Sequence, residues 1–150
     1  MQEVDDAAVR LACEKLLLQV AWLTDHGPQV EIAKLYTVDG EFDRDGDVTR
    51  GRAAIAQMYA RRPASLMTRH LVSNLQVEPI SAHSARCRSM AAVYRFRSAD
   101  GTRATAPVTL PGPEAVSEYD DTVVRTTEGW RIARRVLRTV IEIRPPPGGG

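Results

Sequence analysis

The spacing of the apolar residues changes at Pro63, and this change constrains the fold more than any other feature of the sequence. Before Pro63 the apolar residues recur every three or four positions, which is the period of a helix that buries one face. After Pro63 they alternate with polar residues, which is the period of a strand. Strands are predicted at about 68–79, 84–98, 102–125 (with a break at 111–113) and 129–143.

The residues before Pro63 are predicted to form three helices, a short strand and a tight turn. Asp5 and Asp6 are suited to cap the first helix, because a carboxylate accepts hydrogen bonds from the free N–H groups at a helix start. Pro28 is suited to the first position of the second helix. The helices are predicted at about 5–24, 28–36 and 51–61, with the strand at 40–43 and the turn at 45–47.

Three helices followed by an antiparallel meander indicate an α+β fold, in which the helices pack on one face of a curved sheet. Long strands that wrap over helices tend to leave a space between the two layers. We therefore expect a pocket inside the domain.

The length of 150 residues and the mass of 16.5 kDa fit a single domain, predicted to span residues 1–144. A chain of this size buries roughly 70% of the surface that its unfolded form exposes, so it can support a core. Residues 145–150 are three prolines followed by three glycines, which suit neither a helix nor a strand, and we expect them to form a disordered tail.

Charge and hydropathy bear on location and partners. The longest apolar stretch, 16–23, is interrupted by Gln19 and is too short to span a membrane, and Met1 is followed by acidic residues instead of the basic segment of a signal peptide. We expect a cytoplasmic protein. The net charge is +1 and the pI is about 7.8, whereas nucleic-acid-binding domains usually have a pI above about 9. We therefore expect no nucleic-acid or membrane partner, and a small hydrophobic molecule as the ligand.

The cysteines and histidines do not form a metal-binding pattern. Cys13 and Cys87 lie on apolar segments and are expected to be buried as small hydrophobic residues. The three histidines are scattered, and the sequence has neither a phosphate-binding loop nor a dinucleotide-binding motif. We therefore expect neither a metal nor a cofactor.

The histidines differ in their surroundings. His83 lies in a predicted hairpin turn and His26 in a turn between helices, where solvated imidazoles are common. His70 begins an otherwise apolar strand, where it is either a core histidine or a general base, since its pKa lies near neutrality. Asp25 is either an ordinary helix-end aspartate or the group that accepts the second N–H of a catalytic histidine.

Four segments carry a resemblance to a known family. They are LTDHGPQVEIAKLYTVDGEFD at 23–43, GRAAIAQMY at 51–59, TRHLVSN at 68–74 and SEYDDTVVRTTEGWRIARR at 117–135. Through their order and spacing, residues 8–141 resemble the nuclear-transport-factor-2-like, or SnoaL-like, superfamily. Within it the chain is most similar to the group of scytalone dehydratase and related small dehydratases, isomerases and dehydrochlorinases. The resemblance implies a cone-shaped barrel, formed by a curved, mostly antiparallel sheet packed on three N-terminal helices, with a cavity inside.

The resemblance also implies roles for particular residues. In the catalytic members an aspartate at the end of the first long helix holds a histidine on the sheet, and Asp25 and His70 match these two positions. Ser117 and Tyr119 are implied to face the pocket. Scytalone dehydratase has a second active-site histidine on the strand that matches 84–98, but no histidine follows His83 here. The dehydratase mechanism is therefore not carried over in full.

The remaining candidates are aromatic and polar residues that could line one pocket or belong to the ordinary core. Asn74 has the strand parity of His70 if no bulge intervenes. Arg134 and Arg135 lie on opposite faces of the last strand, and the sequence does not say which faces the pocket. The predicted substrate-binding residues are Trp22, Tyr36, Phe42, Met58, Tyr59, Asn74, Tyr94, Ser117 and Tyr119.

These observations lead to two hypotheses of different classes. The first is a small cofactor-independent lyase or isomerase for a hydrophobic, cyclic or polyketide-like molecule. In this enzyme His70 is the general base, Asp25 orients His70, and Tyr119 or a bound water interacts with the substrate oxygen. The second is a non-catalytic ligand-binding or assembly domain. An isomerase with a lone carboxylate base would need an acidic residue in the cavity, for which Asp121 is the candidate. A homodimer or homotrimer is expected in each case.

Overall fold

The computed structural model describes residues 2–144, with side chains from Asp5 onward, so the predicted tail at 145–150 lies outside the described residues. The chain forms a long helix, a short 3₁₀ helix, a second α-helix and six strands. The helices are α1 (Gln2–His26), the 3₁₀ helix (Gln29–Leu35) and α2 (Arg52–Ala60). The strands are β1 (Tyr36–Arg44), β2 (Asp47–Arg50), β3 (Leu66–Ser81), β4 (Ser84–Arg97), β5 (Ala115–Thr126) and β6 (Gly129–Glu142).

The six strands form one sheet in the order β2-β1-β6-β5-β4-β3. Strands β3 to β6 form the predicted antiparallel meander, and β1 joins it parallel to β6. The sheet is curved and unclosed, with β2 and β3 as its two edges. The predicted α+β class is confirmed, and the cone is open between these edges.

The helices differ from the prediction in where they begin and end, and one of them is a 3₁₀ helix. Helix α1 begins at Gln2, so Asp5 and Asp6 lie inside its first turns and do not cap it. Acidic side chains are favourable there as well, because the helix N-terminus carries partial positive charge. The predicted second helix is a 3₁₀ helix that follows Pro28 and ends before Tyr36.

One strand prediction is wrong and another is too short. Residues 102–110 form no strand, because this segment belongs to an irregular connection between β4 and β5. Pro107, Pro111 and Pro113 have no N–H to donate to a ladder, and Pro107 follows a cis peptide bond. The predicted short strand at 40–43 is the longer β1, which pairs with β2 across the turn at Asp45 and Gly46.

Helix α1 supplies one face of the core and the concave face of the sheet supplies the other. Cys13 of α1 and Cys87 of β4 are both wholly buried, as predicted. No described helix is long and apolar enough to cross a membrane. The main members of the core are Val9, Cys13, Leu16, Leu17, Val20, Ile32, Tyr36, Ile55, Val77, Cys87, Val123 and Ile132.

A buried carboxylate fixes the end of β1 to β6. The guanidinium of Arg138 donates to both oxygens of Asp43 at 2.8 Å, and the N–H of Gly46 donates to Oδ1 at 2.9 Å. The hydrogen bonds from Arg138 are the main cause that lowers the pKa of Asp43 to about 2. The folded pKa is therefore below the unfolded value of about 3.9. The stabilisation is complete above the unfolded pKa and is lost as the pH falls toward about 2.

We predict that Asp43→Asn and Arg138→Gln both flatten the loss of stability in acid. The first variant removes the titrating group and the second removes the partner that lowers its pKa. Between pH ~2 and ~4, unfolding should take up about one proton fewer in Asp43→Asn than in the wild type. The decrease should be smaller in Arg138→Gln, because Asp43 keeps its hydrogen bond from Gly46. The measurement is the free energy of unfolding in urea as a function of pH. A wild-type slope for Arg138→Gln would contradict the role of this ion pair.

Candidate active site

A cavity of about 330 Å³ lies between the concave face of the sheet, α1 and α2. Alternate residues of β1, β3, β4 and β6 line it, as the two-residue period requires, and β5 contributes Tyr119. Apolar side chains and arginines share its wall. The lining residues are Leu17, Ala21, Thr24, Phe42, Arg44, Met58, Tyr59, Arg61, Arg62, Leu66, Thr68, His70, Val72, Ser89, Arg95, Arg97, Tyr119, Arg135 and Leu137.

Asp25 and His70 are in direct contact at the wall of this cavity. Asp25 is the penultimate residue of α1, and His70 lies on β3, where it lines the cavity. Nδ1 of His70 lies 2.6 Å from Oδ1 of Asp25, and the backbone N–H of His70 donates to Oδ2 at 2.7 Å. The two side chains are 14% and 6% exposed, so the contact is largely shielded from solvent.

The protonation of the pair follows from the environment of the carboxylate. Burial raises the pKa of Asp25, but the hydrogen bonds and charge of His70, with a hydrogen bond from Thr68, outweigh burial and leave the pKa below its ordinary value. Asp25 is therefore ionised at neutral pH and can only accept hydrogen bonds. Nδ1 of His70 must carry the proton that it donates to Asp25, so in the neutral ring Nε2 has a free lone pair.

Two further residues hold Asp25 in place, and the sequence analysis did not single them out. The hydroxyl of Thr68 is 2.8 Å from Oδ1 of Asp25, to which it donates, and it accepts a hydrogen bond of 2.6 Å from Nη2 of Arg62. Thr68 is buried and precedes His70 by two positions on β3, so both side chains lie on the same face of the strand. The strand parity of His70 was a usable signal for Thr68, but nothing in the sequence indicated Arg62.

Four of the nine predicted substrate-binding residues line the cavity. Phe42, Met58 and Tyr59 form part of its wall near β1 and α2. Tyr119 lines it from β5, and its ring lies 4.8 Å from the guanidinium of Arg135. Burial raises the pKa of Tyr119 to about 12, so its hydroxyl stays protonated at neutral pH and remains a hydrogen-bond donor.

The other five do not line the cavity. Trp22 is 62% exposed, because it lies on the outer side of α1, where its ring stacks on His26 with centroids 3.9 Å apart. Tyr36 is wholly buried in the core. Tyr94 has the opposite strand parity to its cavity-lining neighbour Arg95. Ser117 is buried on β5 two residues from Tyr119 but does not reach the cavity.

Asn74 does not line the cavity, and the reason lies in the backbone of β3. Its φ is +52°, and the pairing of β3 with β4 shifts between Ser73 and Gln76, which marks a β-bulge. The bulge reverses the parity of the strand: even-numbered His70 faces inward before it, and odd-numbered Val77 is buried after it. The prediction for Asn74 required that no bulge lies between it and His70. Because β3 has this bulge, the side chain of Asn74 is exposed.

Arg135, and not Arg134, faces the cavity. Arg135 is buried and donates to both oxygens of Asp121 at 2.8 and 2.9 Å, whereas Arg134 has a side chain that is 54% exposed. Asp121 is wholly buried and does not line the cavity. The lone-carboxylate isomerase therefore lacks its base, since no acidic residue in the described part of the chain lines the cavity.

The geometry defines a class of protein: an open α+β cone in which an aspartate on the first helix holds a histidine of the sheet at a cavity. A family model described as a SnoaL-like domain matches residues 5–136, and the chain belongs to this family. None of the curated proteins gives a significant match. Among the side chains that the structure describes, from Asp5 to Arg144, no group of three or more His, Cys, Asp or Glu residues is placed to hold a metal ion.

Solved structures support the same fold. A provisionally named scytalone dehydratase from Novosphingobium aromaticivorans has a TM-score of 0.74 and 21% identity, with all of both chains covered. A variant of Rv3472, a Mycobacterium tuberculosis protein of unknown function, has a TM-score of 0.69 and 30% identity over 91% of this chain and 75% of its own. ActVI-ORFA from Streptomyces coelicolor has a TM-score of 0.72 and 17% identity over 89% of this chain and 98% of its own.

Proposed function

We propose that this protein is a cofactor-independent lyase or isomerase that uses His70 as a general base on a largely hydrophobic, cyclic or polyketide-like molecule. The observation that carries the proposal is the 2.6 Å contact between His70 and the buried, ionised Asp25 at the wall of an open cavity. A contact of this kind supports proton transfer because it fixes the tautomer of the imidazole and stabilises its protonated form.

The chemistry of the proposed step follows from this arrangement. Nε2 of His70 takes a proton from a carbon next to a carbonyl, and the electrons of the broken C–H bond move toward the carbonyl oxygen. Asp25 stabilises the imidazolium that forms. In an isomerisation the proton returns to another carbon; in an elimination it leaves with a hydroxyl group as water. Tyr119, which lines the cavity and is protonated at neutral pH, would donate a hydrogen bond to the oxygen that gains charge.

A non-catalytic ligand-binding or assembly domain is the alternative, because a cavity of this size suits binding without chemistry. An exchange experiment distinguishes the two. β-Tetralone, a bicyclic ketone with acidic C–H groups, is incubated with the protein in deuterium oxide, and a cyclic β-hydroxy ketone is tested for loss of water. We expect deuterium incorporation or dehydration at least tenfold above buffer with the same concentration of free imidazole, which corrects for unspecific catalysis.

One result would favour the non-catalytic alternative. In it these ketones bind, as detected by calorimetry, but show neither exchange nor dehydration above the imidazole control. Such a result would mean that the cavity holds its ligand without removing a proton from it, and the proposed function would fail.

A further inference from the structure

The wall of the cavity is rich in positive charge. Six arginines line it, and no aspartate or glutamate of the described residues lies among them. Arg135 and Arg95 have carboxylate partners outside the lining, Asp121 and Glu114 respectively. The arginines with no carboxylate partner among the described side chains, Asp5 to Arg144, are Arg44, Arg61, Arg62 and Arg97.

Three of the six, Arg62, Arg95 and Arg97, are gathered at one end of β3 and β4, and we call them the arginine trio. In the strand pairing Arg97 is opposite Leu66, and Arg95 is opposite Thr68, to which Arg62 donates its hydrogen bond. Burial lowers the pKa of Arg62, and the nearby positive charges of Arg95 and Arg97 lower it further, against the opposite effect of Asp25. Like charges are thus held close together.

The arginine trio is less deeply buried than Arg135. Arg97 is exposed and Arg62 and Arg95 are half-buried, whereas Arg135 is buried with Asp121. The Nε–H of Arg95 is buried and has no acceptor among the described residues, although its Nη1 donates to Glu114 at 2.6 Å. Positive charge and an unused donor thus come together in this part of the cavity wall.

We propose that the substrate of this site carries a carboxylate, which the arginine trio binds while the ring system lies against the apolar wall. That the bound molecule is a substrate rests on the proposed function, whereas the binding of an anion by the arginine trio does not depend on it. The planar guanidinium presents paired N–H donors that match the two oxygens of a carboxylate. A volume of about 330 Å³ is at the lower end of ligand cavities and suits a bicyclic acid.

The position of the trio relative to His70 fits this proposal. Thr68 and His70 are two residues apart on β3, which separates their Cα atoms by roughly 7 Å. A carboxylate bound beside Thr68 would therefore place ring carbons, a few bonds away, next to the imidazole. The apolar wall beyond it is formed by Leu17, Phe42, Met58 and Val72.

A comparison of two ligands that differ in charge tests the proposal. β-Naphthoate carries the carboxylate, and β-naphthamide has the same rings and no charge. Calorimetry at low ionic strength should give at least tenfold tighter binding of the naphthoate to the wild type, since hydrogen bonds between charged groups are the stronger ones. The preference should shrink in high salt.

Variants on β4 locate the effect. Arg97→Met removes an exposed side chain that has no ion pair among the side chains described from Asp5 onward, so the fold should persist. Arg95→Met removes a half-buried member. Each should reduce the preference for naphthoate at least threefold. Arg88→Met is the matched control, because Arg88 lies on the same strand, is exposed and has the opposite parity; it should leave the preference unchanged.

Equal binding of the two ligands by the wild type, no measurable binding of naphthoate, or an undiminished preference in both trio variants would each overturn the proposal. Because these are binding measurements, they separate the two proposals. A preference for naphthoate without proton exchange would refute the general-base function and keep the anion site. Exchange without the preference would do the reverse.

Discussion

The variant His70→Ala is expected to lower kcat by about 10²–10⁴-fold on any substrate that the protein turns over, because that is the usual contribution of a positioned general base. The ring forms only part of the cavity wall, so KM should change little. Steady-state kinetics on the ketone that shows the fastest deuterium exchange is the measurement. Thermal unfolding of the variant establishes that the fold is kept.

His83→Ala is the matched control for this prediction, since His83 is an exposed histidine in the turn between β3 and β4. It should keep the wild-type rate. Turnover by a folded His70→Ala protein within threefold of the wild type would show that the imidazole is not the base.

Asp25→Asn tests the same step from the other side of the contact. An amide can donate a hydrogen bond to Nδ1 of His70, which would place the ring proton on Nε2 and block the lone pair that must accept the substrate proton. The loss of kcat should therefore approach that of His70→Ala. Because the two side chains act as a unit, the double variant should be about as slow as the slower single variant. Additive losses would mean that they act separately.

The contact between Asp25 and His70 illustrates what the sequence could and could not predict. The two residues are 45 positions apart, and neither period nor spacing brings them together. The pairing was expected only through the family resemblance. Period alone did predict that His70 lies on a strand, and it placed Tyr119 and Arg135 on strands of the same sheet.

The errors have local physical causes. Asn74 was assigned by parity, but a bulge reverses parity and depends on a left-handed residue that no alternation pattern reveals. Trp22 was assigned to the cavity because it is large and aromatic, yet the face of α1 that it occupies is the outer one. Residues 102–110 alternate like a strand, but the prolines nearby prevent a ladder.

Net charge does not describe the distribution of charge around the cavity. The value of +1 for the whole chain contributed to the expectation of a small hydrophobic ligand, but a sum over the chain carries no information on where the charges lie. The acidic side chains lie elsewhere, for example Glu41 with Arg50 and Asp120 with Arg86, while six arginines point inward. Four of the six lie on strands, where parity directs them to the concave face, and the other two, Arg61 and Arg62, directly follow α2.

The pair of Asp121 and Arg135 gives the largest expected effect on stability. Both side chains are buried, and the guanidinium donates to both carboxylate oxygens at 2.8 and 2.9 Å. Burial lowers the pKa of Arg135, but the charge and hydrogen bonds of Asp121 more than compensate, so the arginine stays charged. Arg135→Met would leave the carboxylate buried without its partner. Breaking such a pair costs about 3–5 kcal/mol of folding free energy, a large part of the roughly 5–15 kcal/mol of a typical domain.

The urea midpoint of Arg135→Met measures this loss, with Arg134→Met as the control. Arg134 is the next residue, its side chain is 54% exposed and its nearest carboxylate oxygen is 3.8 Å away, so its replacement should cost no more than about 1 kcal/mol. The double variant Asp121→Leu with Arg135→Met should be more stable than Arg135→Met alone, because no unpaired charge remains in the core. A double variant as unstable as the sum of its singles would show that the two residues stabilise the fold independently. The pair would then serve the core through packing and not through charge.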